Sequence, residues 1–571
     1  MSRLITLFAA VLLVACSSDS DNDVAEDAVR SAAPLPRATV TAAPALTAEL
    51  LARIEADTPA LWLSLEPLPQ PLLDQLWSQM AAISELQESA YEEMAGDIDH
   101  ALVRALLAEM GQLNSPEAYA ERGININGVA GLHMAGIFPL LHWELSDQAA
   151  FAATLARIEA ESETPMPRRQ VGDQELIWIS LDKFGLAIHH DPAFLTIALI
   201  ADREDLLRRV ANLEQPDRVL SKAEVDAFTN ARDYLQDSVG FIDFQRLLGQ
   251  LLDGTDETLV QARSNGPLAA VANEPACRGE LEALTTLFPR KSFGTIDLSA
   301  ESMSVKVLME TERAFGERLS ALAGSPVALS TQRAGVLSMG LAMNIVAARD
   351  LGRGIVGGWV ENPPQCSLFS NIAENATNWQ LALNRPIPPL VTNLHGARVR
   401  LDRLSLTGGE PSDVAGTVAL FMRNPQMMIG MAQMFSPELA GLDLRPGADP
   451  QPVPPGMVPN LGDMPAWIGL SDSGLGLAIG PGQDAELPAA LVAGSADSAI
   501  FSIGIDMVAY TDLFEAGMSR VPTQTVQGAD FDPAEATETF RLLAAIYRYI
   551  HKSLHLTPDG IDLRVHFDLA D

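Results

Sequence analysis

Five short patterns recur in the same order in the two halves of the 571-residue chain, and this recurrence constrains the fold more than any other feature. Residues 59–65 (PALWLSL) correspond to 335–341 (GVLSMGL), with Trp62 matched to Met339, 277 positions on. Leu141–Leu145 before a helical stretch corresponds to Ala419–Met422 before a Met-rich one, again at 277. Ile177-Trp178-Ile179 with Gly185–Ile188 matches Ala466-Trp467-Ile468 with Gly476–Ile479, and Phe241-Ile242-Asp243 matches Gly504-Ile505-Asp506. Lys291-Ser292 before a closing hairpin matches Lys552-Ser553, whose hairpin turns at Pro558-Asp559-Gly560. Ordered matches at this spacing predict two related units, about 49–315 and 330–571, each needing a partner for its sheet face.

Within each unit strand and helix periods alternate. Strand-like runs fall at 128–134, 137–145, 174–188, 194–200, 239–244, 293–298 and 303–309, with helical runs at 70–113, 147–160, 204–213 and 222–234. Many strands alternate apolar and polar residues, as in Asp562-Leu563-Arg564-Val565-His566-Phe567, which suits antiparallel sheets with one wetted face. The expected fold is therefore α+β: two tandem related halves, each an antiparallel sheet with packed helices. The stretch 70–113 predicts more helix in the first half, and the proline-rich 445–459 more loop in the second. Asp532, Pro533 and Glu535 read as the cap of a last long helix.

Composition narrows the function. Hydrophobic residues make up 47% of the chain, enough for a large core. The net charge is −36, with only five lysines (Lys183, Lys222, Lys291, Lys306, Lys552). A field of that sign repels nucleic acid and anionic headgroups, so no nucleic-acid partner is expected.

The N-terminus reads as an address. Arg3 precedes an apolar run from Leu4 to Ala15 that is too short to span a ~30 Å hydrocarbon core. The run ends in Leu13-Val14-Ala15-Cys16, which resembles the lipobox of bacterial lipoproteins. The resemblance implies a signal peptide over 1–15, cleavage before Cys16 and lipidation there. Ser17, rather than Asp, after the cysteine implies outer-membrane sorting with the body facing the periplasm. Acyl chains, at ~0.8 kcal/mol per buried CH₂, would make that membrane attachment durable. Residues 16–48, rich in Ser, Asp, Ala and Pro, read as a disordered tether reaching roughly 30 Å. In an oxidising compartment Cys277 and Cys366 have only each other as partners, so they are expected to form a disulfide closing a loop of 89 residues.

The search for chemistry returns little. Nine histidines occur and no HExxH. His551 and His555 are four apart, but His555 falls beyond the expected helix end, so both read as solvated. His189-His190-Asp191 ends a strand, where neighbouring side chains point to opposite faces and cannot share a metal. Ser180-Leu181-Asp182-Lys183 has SxxK spacing in a strand context rather than on the helix that chemistry needs. Gly469–Gly474 reads as a hairpin turn, Asp19–Asp23 lacks the later ligands of a calcium loop, and Asp243 and Asp506 read as helix caps. Methionines cluster over Met422–Met434, where a helix filling gaps on a sheet competes with an adaptable groove for lipid or peptide.

No catalytic, cofactor-binding or metal residues are assigned; the assigned sites are Cys16 for lipidation and Cys277 with Cys366. The body is similar to two-repeat bacterial envelope proteins, a resemblance that implies no catalytic residues. The expected role is a non-enzymatic binding or carrier protein for an apolar or protein ligand. The alternatives are a scaffold without a cavity, and a hydrolase with an unrecognised site.

Overall fold

A computed structural model describes residues 44–80, 100–181, 184–265, 268–323, 327–329, 335–407, 410–435, 441–454, 464–494, 498–518 and 533–570. The signal peptide, Cys16, most of the tether, Asp182-Lys183 and Asp532 lie outside the described residues. The fold is mixed helix and strand around a large antiparallel sheet. No helix among the described residues is long and apolar enough to cross a membrane.

The strands of the first part are β1 (Ala60–Ser64), β2 (Ala130–Ala135), β3 (Phe138–Glu144), β4 (Arg168–Val171), β5 (Gln174–Leu181), β6 (Phe184–His190), β7 (Phe194–Ala201), β8 (Val239–Asp243), β9 (Arg290–Leu298) and β10 (Ser302–Glu310). Those of the second are β11 (Leu337–Ala342), β12 (Leu394–Thr407), β13 (Glu410–Met422), β14 (Gln451–Pro452), β15 (Ala466–Leu470), β16 (Gly474–Ile479), β17 (Ala499–Asp506), β18 (Tyr547–Thr557) and β19 (Gly560–Leu569). From β1 the pairing runs one way through β2, β3, β7, β6, β5 and β4, and the other way through β8, β9 and β10. From β11 it runs through β12, β13, β16, β15 and β14, and the other way through β17, β18 and β19. Strand β10 pairs with β19 from Ser302↔Asp568 to Glu310↔Gly560, joining the two arrays edge to edge. The outer edges, β4 with Arg168 and Arg169 and the two-residue β14 with Pro452, are short and carry charge or proline, which discourages further strand addition.

One neighbour relation is common to the two arrays. Strand β16 stands beside β13 as β7 stands beside β3, and a helix follows each, Gln483–Ala490 and Glu204–Val210.

Some boundaries move. A helix over Pro44–Leu51 buries Leu50 and Leu51, so the folded body begins before residue 49. The expected gap between units contains part of the Arg313–Ser320 helix and buried Leu319, Leu322, Val327 and Leu329. The second part is not helix-poor between its first two strands, where it holds helices Ile345–Glu361 and Ser370–Leu383.

In the first array both sheet faces are covered. The face bearing Leu61 and Leu63 packs on Leu50, Leu51, Ile54 and Val225. Farther out, helix Glu204–Val210 covers Leu140, Ala198 and Ile200 on that same side. The opposite face, with Ile177, Ile188 and Leu195, packs on helices Ala101–Gly111 and Gln148–Glu161 through Leu102, Leu107, Phe151 and Leu155. Asp147 starts the second of these by accepting from the N–H groups of Ala149 and Ala150.

Candidate functional site

The second array distributes its side chains differently. Along β11 the sequence Leu-Ser-Met-Gly-Leu-Ala puts Ser338, Gly340 and Ala342 on one face and Leu337, Met339 and Leu341 on the other. The small residues face inward. Ala419 and Phe421 of β13 and Ala478 of β16 lie on the same side, under Leu487 and Leu491. Glycines let the helix above sit close: a Cβ at Gly476 would meet Leu487 Cδ1 at 2.7 Å and Leu491 Cδ2 at 3.0 Å.

The large aliphatic side chains consequently fall on the open face. Leu341 is 52% exposed, Met339 39%, Leu420 38% and Val399 37%. Pairings place them side by side: Leu341 faces Ala397 and Phe501, Ala397 faces Leu420, and Leu420 faces Leu475. Toward the joint with the first array, Phe501 faces Leu554 and Leu554 faces Leu563. Nearer the centre this face is covered, where Leu543 and Ala544 pack over Ile550 and Phe567.

Helix Pro425–Phe435 follows β13, with Met427 N–H bonded to Asn424 Oδ1. Gap filling holds for Met422 and, on the helix, for Ile429, both buried. It fails for Met427, Met431 and Met434, which lie one to two turns apart on an exposed stripe, Met434 at 81%. Among the described residues, sixteen large hydrophobics are exposed and ten of them fall within 335–435, three of these (Leu368, Trp379 and Leu381) on or just before helix Ser370–Leu383. The stretch 335–435 carries seven arginines and six acids, a net charge of +1 in a chain of −36. Exposed aliphatic side chains side by side on one sheet face, as Met339, Leu341, Val399 and Leu420 are, mark a candidate binding face.

The cysteines are brought together as expected. Cys277 and Cys366 form a disulfide with Cα atoms 4.4 Å apart, and both side chains are buried. The bridge joins helix Pro275–Leu287 to the turn between helices Ile345–Glu361 and Ser370–Leu383. Glu280 accepts from the N–H groups of Gln365 and Cys366, and Glu274 from the N–H and hydroxyl of Ser367. Ligand atoms of Glu274, Cys277 and Cys366 lie within 4.8 Å of one another, but sulfurs bonded to each other are not thiolate ligands.

Several histidines are not solvated. His551 and His555 sit on β18 rather than at a helix end, at 2% and 3% exposure. The sequence Tyr547-Arg548-Tyr549 gives no break from the preceding helix, so the helix-to-strand switch at Ile546 is invisible locally. Ser553 Oγ lies 2.8 Å from His555 Nε2, and Ser498 Oγ 3.0 Å from His555 Nδ1. This resembles a nucleophile and base, with serine hydroxyls at both ring nitrogens of His555 and Ser553 itself buried. His189 is buried on β6, while His190 meets Phe151 and Gln148 on the other face, so the pair stays divided. Ser180 lies on β5, away from the helical setting that SxxK chemistry needs. Ser471, in the β15–β16 turn, donates to Leu491 O. Asp243 caps helix Phe244–Asp253 and accepts from Arg290; Asp506 is buried immediately before helix Met507–Met518.

One buried pair escaped sequence analysis altogether. His133 of β2 and His142 of β3 stack at 5.3 Å, with their Nε2 atoms 3.2 Å apart, and His142 Nδ1 lies 3.0 Å from Thr196 Oγ1. Burial lowers His133 from 6.5 to about 4, and burial, then His133 and Arg53, hold His142 well below 6.5. Both rings are therefore neutral in the folded state at pH 7. The unfolded chain binds the protons first, so this stabilisation is complete above pH 6.5 and is lost as pH falls toward 4. His133 alone contributes about 3 kcal/mol across that window. Asp237, raised by burial to about 6, acts in the opposite sense over its own range. Thermal unfolding at pH 7.5 and 4.5 should show a large drop in midpoint. The double substitution H133L/H142L should flatten that dependence, and an unchanged slope would refute the assignment.

No family model and no curated protein matches the chain. A solved structure titled "Structure of crystal form III of TP0453" is similar at a TM-score of 0.24 and 8% identity, over 49% of this chain and 88% of its own. A likeness that slight carries no argument about fold or function.

Proposed function

We propose that this chain is an envelope lipoprotein whose body is a non-enzymatic carrier, binding an apolar ligand on the open face of β11, β12 and β13. The supporting observation is the inverted sheet: small side chains face the covering helix, and Met339, Leu341, Val399 and Leu420 face solvent. Leaving such side chains exposed forgoes about 25 cal/mol for each Å² that burial would remove from water, a cost that ligand binding recovers.

On this reading Cys16, after cleavage of 1–15, carries the acyl chains that fix the protein to the periplasmic side of the outer membrane. The body is a tandem of two related halves, supported by the shared order of strand neighbours around β1 and β11. The second half has been re-faced for binding, while helices close both sides of the first.

Native mass spectrometry of the protein gently extracted from envelopes tests this directly. Wild type should carry co-purifying apolar molecules and the lipid modification. The variant L341Q/L420Q should lose the former and keep the latter with an unchanged unfolding midpoint. A stable protein free of ligand in both forms would contradict the carrier reading, and an unmodified Cys16 would contradict the anchor.

A further inference from the structure

We infer that the ligand of this face is a long-chain fatty acid, its chain lying across the strands and its carboxylate at Arg423; the inference rests on the carrier reading above. Three observations support it. The first is shape. The cross-strand row that starts at Leu563 and ends at Leu475 crosses seven strands without a polar side chain, through Phe501, Leu341 and Leu420. At ~4.8 Å between strands the row is roughly 29 Å long. A ~30 Å hydrocarbon core holds two acyl chains end to end, so a single extended chain fits within the row with room to spare.

The second is chemistry. The row lies on a sheet face, where backbone N–H and C=O groups are already committed to neighbouring strands. A peptide would have no backbone partners there, whereas an aliphatic chain needs none.

The third is charge. Across most of the molecule a carboxylate would meet a strongly acidic body, but 335–435 is close to neutral. Arg423 stands at the end of β13, three residues beyond Leu420 and two before the Met-bearing helix. It is exposed, and its backbone N–H is tied to Asn393 O. Arg423 is thus an exposed cation at the end of one strand of the row, beside His395, where a carboxylate can stay in water while its chain is buried.

Calorimetric titration of the full chain with octanoate, dodecanoate and hexadecanoate, each below its aggregation threshold, tests the inference. Affinity should rise roughly two- to four-fold per added methylene. L341Q/L420Q should abolish that dependence, while V260Q, a substitution on an exposed helix elsewhere, should leave it intact. R423Q should weaken hexadecanoate roughly two- to five-fold and leave 1-hexadecanol unaffected. The compact probe anilinonaphthalene sulfonate separates the two levels of the proposal. If it binds at the face and the carboxylates show no chain-length trend, the fatty-acid assignment fails and the carrier reading stands. If neither binds, both fail. If hexadecanoate binds with the trend but R423Q weakens the alcohol equally, the placement of the carboxylate is overturned.

Discussion

Phe421→Ala should destabilise the protein by about 3–5 kcal/mol, while Leu420→Ala, one residue away, should cost less than about 1 kcal/mol. The contrast follows from the two faces of β13. Phe421 is fully buried on the covered side, in the cluster with Leu487 and Leu491, and the Arg398 guanidinium lies 4.6 Å from its ring centre. Truncation removes a large ring, leaves a cavity under the helix and strips the cation of its aromatic partner. Leu420 points the other way into solvent, and shortening it removes little packing. Chemical denaturation of the two variants beside wild type measures both numbers. Equal losses would mean that the outward face is also packed, and the binding surface would not exist.

Breaking the Cys277–Cys366 bridge should cost about 4.5 kcal/mol in the chain-entropy model, because the loop it closes spans 89 residues. The bridge also fixes the turn between two helices whose remaining ties to helix Pro275–Leu287 include the hydrogen bonds that Glu274 and Glu280 accept from Gln365, Cys366 and Ser367. C277S/C366S should therefore lower the unfolding midpoint and raise protease sensitivity around 362–367 first. Wild type treated with reductant should behave the same way. A double serine variant as stable as wild type would show that carboxylates and packing hold this junction unaided.

Much of the architecture was legible in the chain, for reasons particular residues make plain. Period-two runs such as Val239–Asp243 and Phe194–Ala201 could only be strands, and the expected runs 293–298 and 303–309 pair as the β9–β10 hairpin. The cysteine pairing followed from having two candidates. What stayed hidden depends on distant partners. Leu-Ser-Met-Gly-Leu-Ala at β11 declares two faces but not which is buried; Leu487 and Leu491, about 150 residues on, decide it by filling the space above the glycines. The start of β18 at Tyr547 was hidden because its polar inward residues, His551, Ser553 and His555, invert the usual apolar-in pattern. The His133–His142 pair was unreadable because the two residues, nine apart, meet across the β2–β3 hairpin, and neither belongs to a motif.

The central claim, that the open face of the second array takes up an apolar ligand, is most directly tested by NMR of methyl-labelled methionine during titration with hexadecanoate. The account predicts that Met339, exposed on that face, shifts with the titration while buried Met166 and Met507 do not. Binding that moved Met166 or Met507 and left Met339 untouched would place the ligand elsewhere and contradict it.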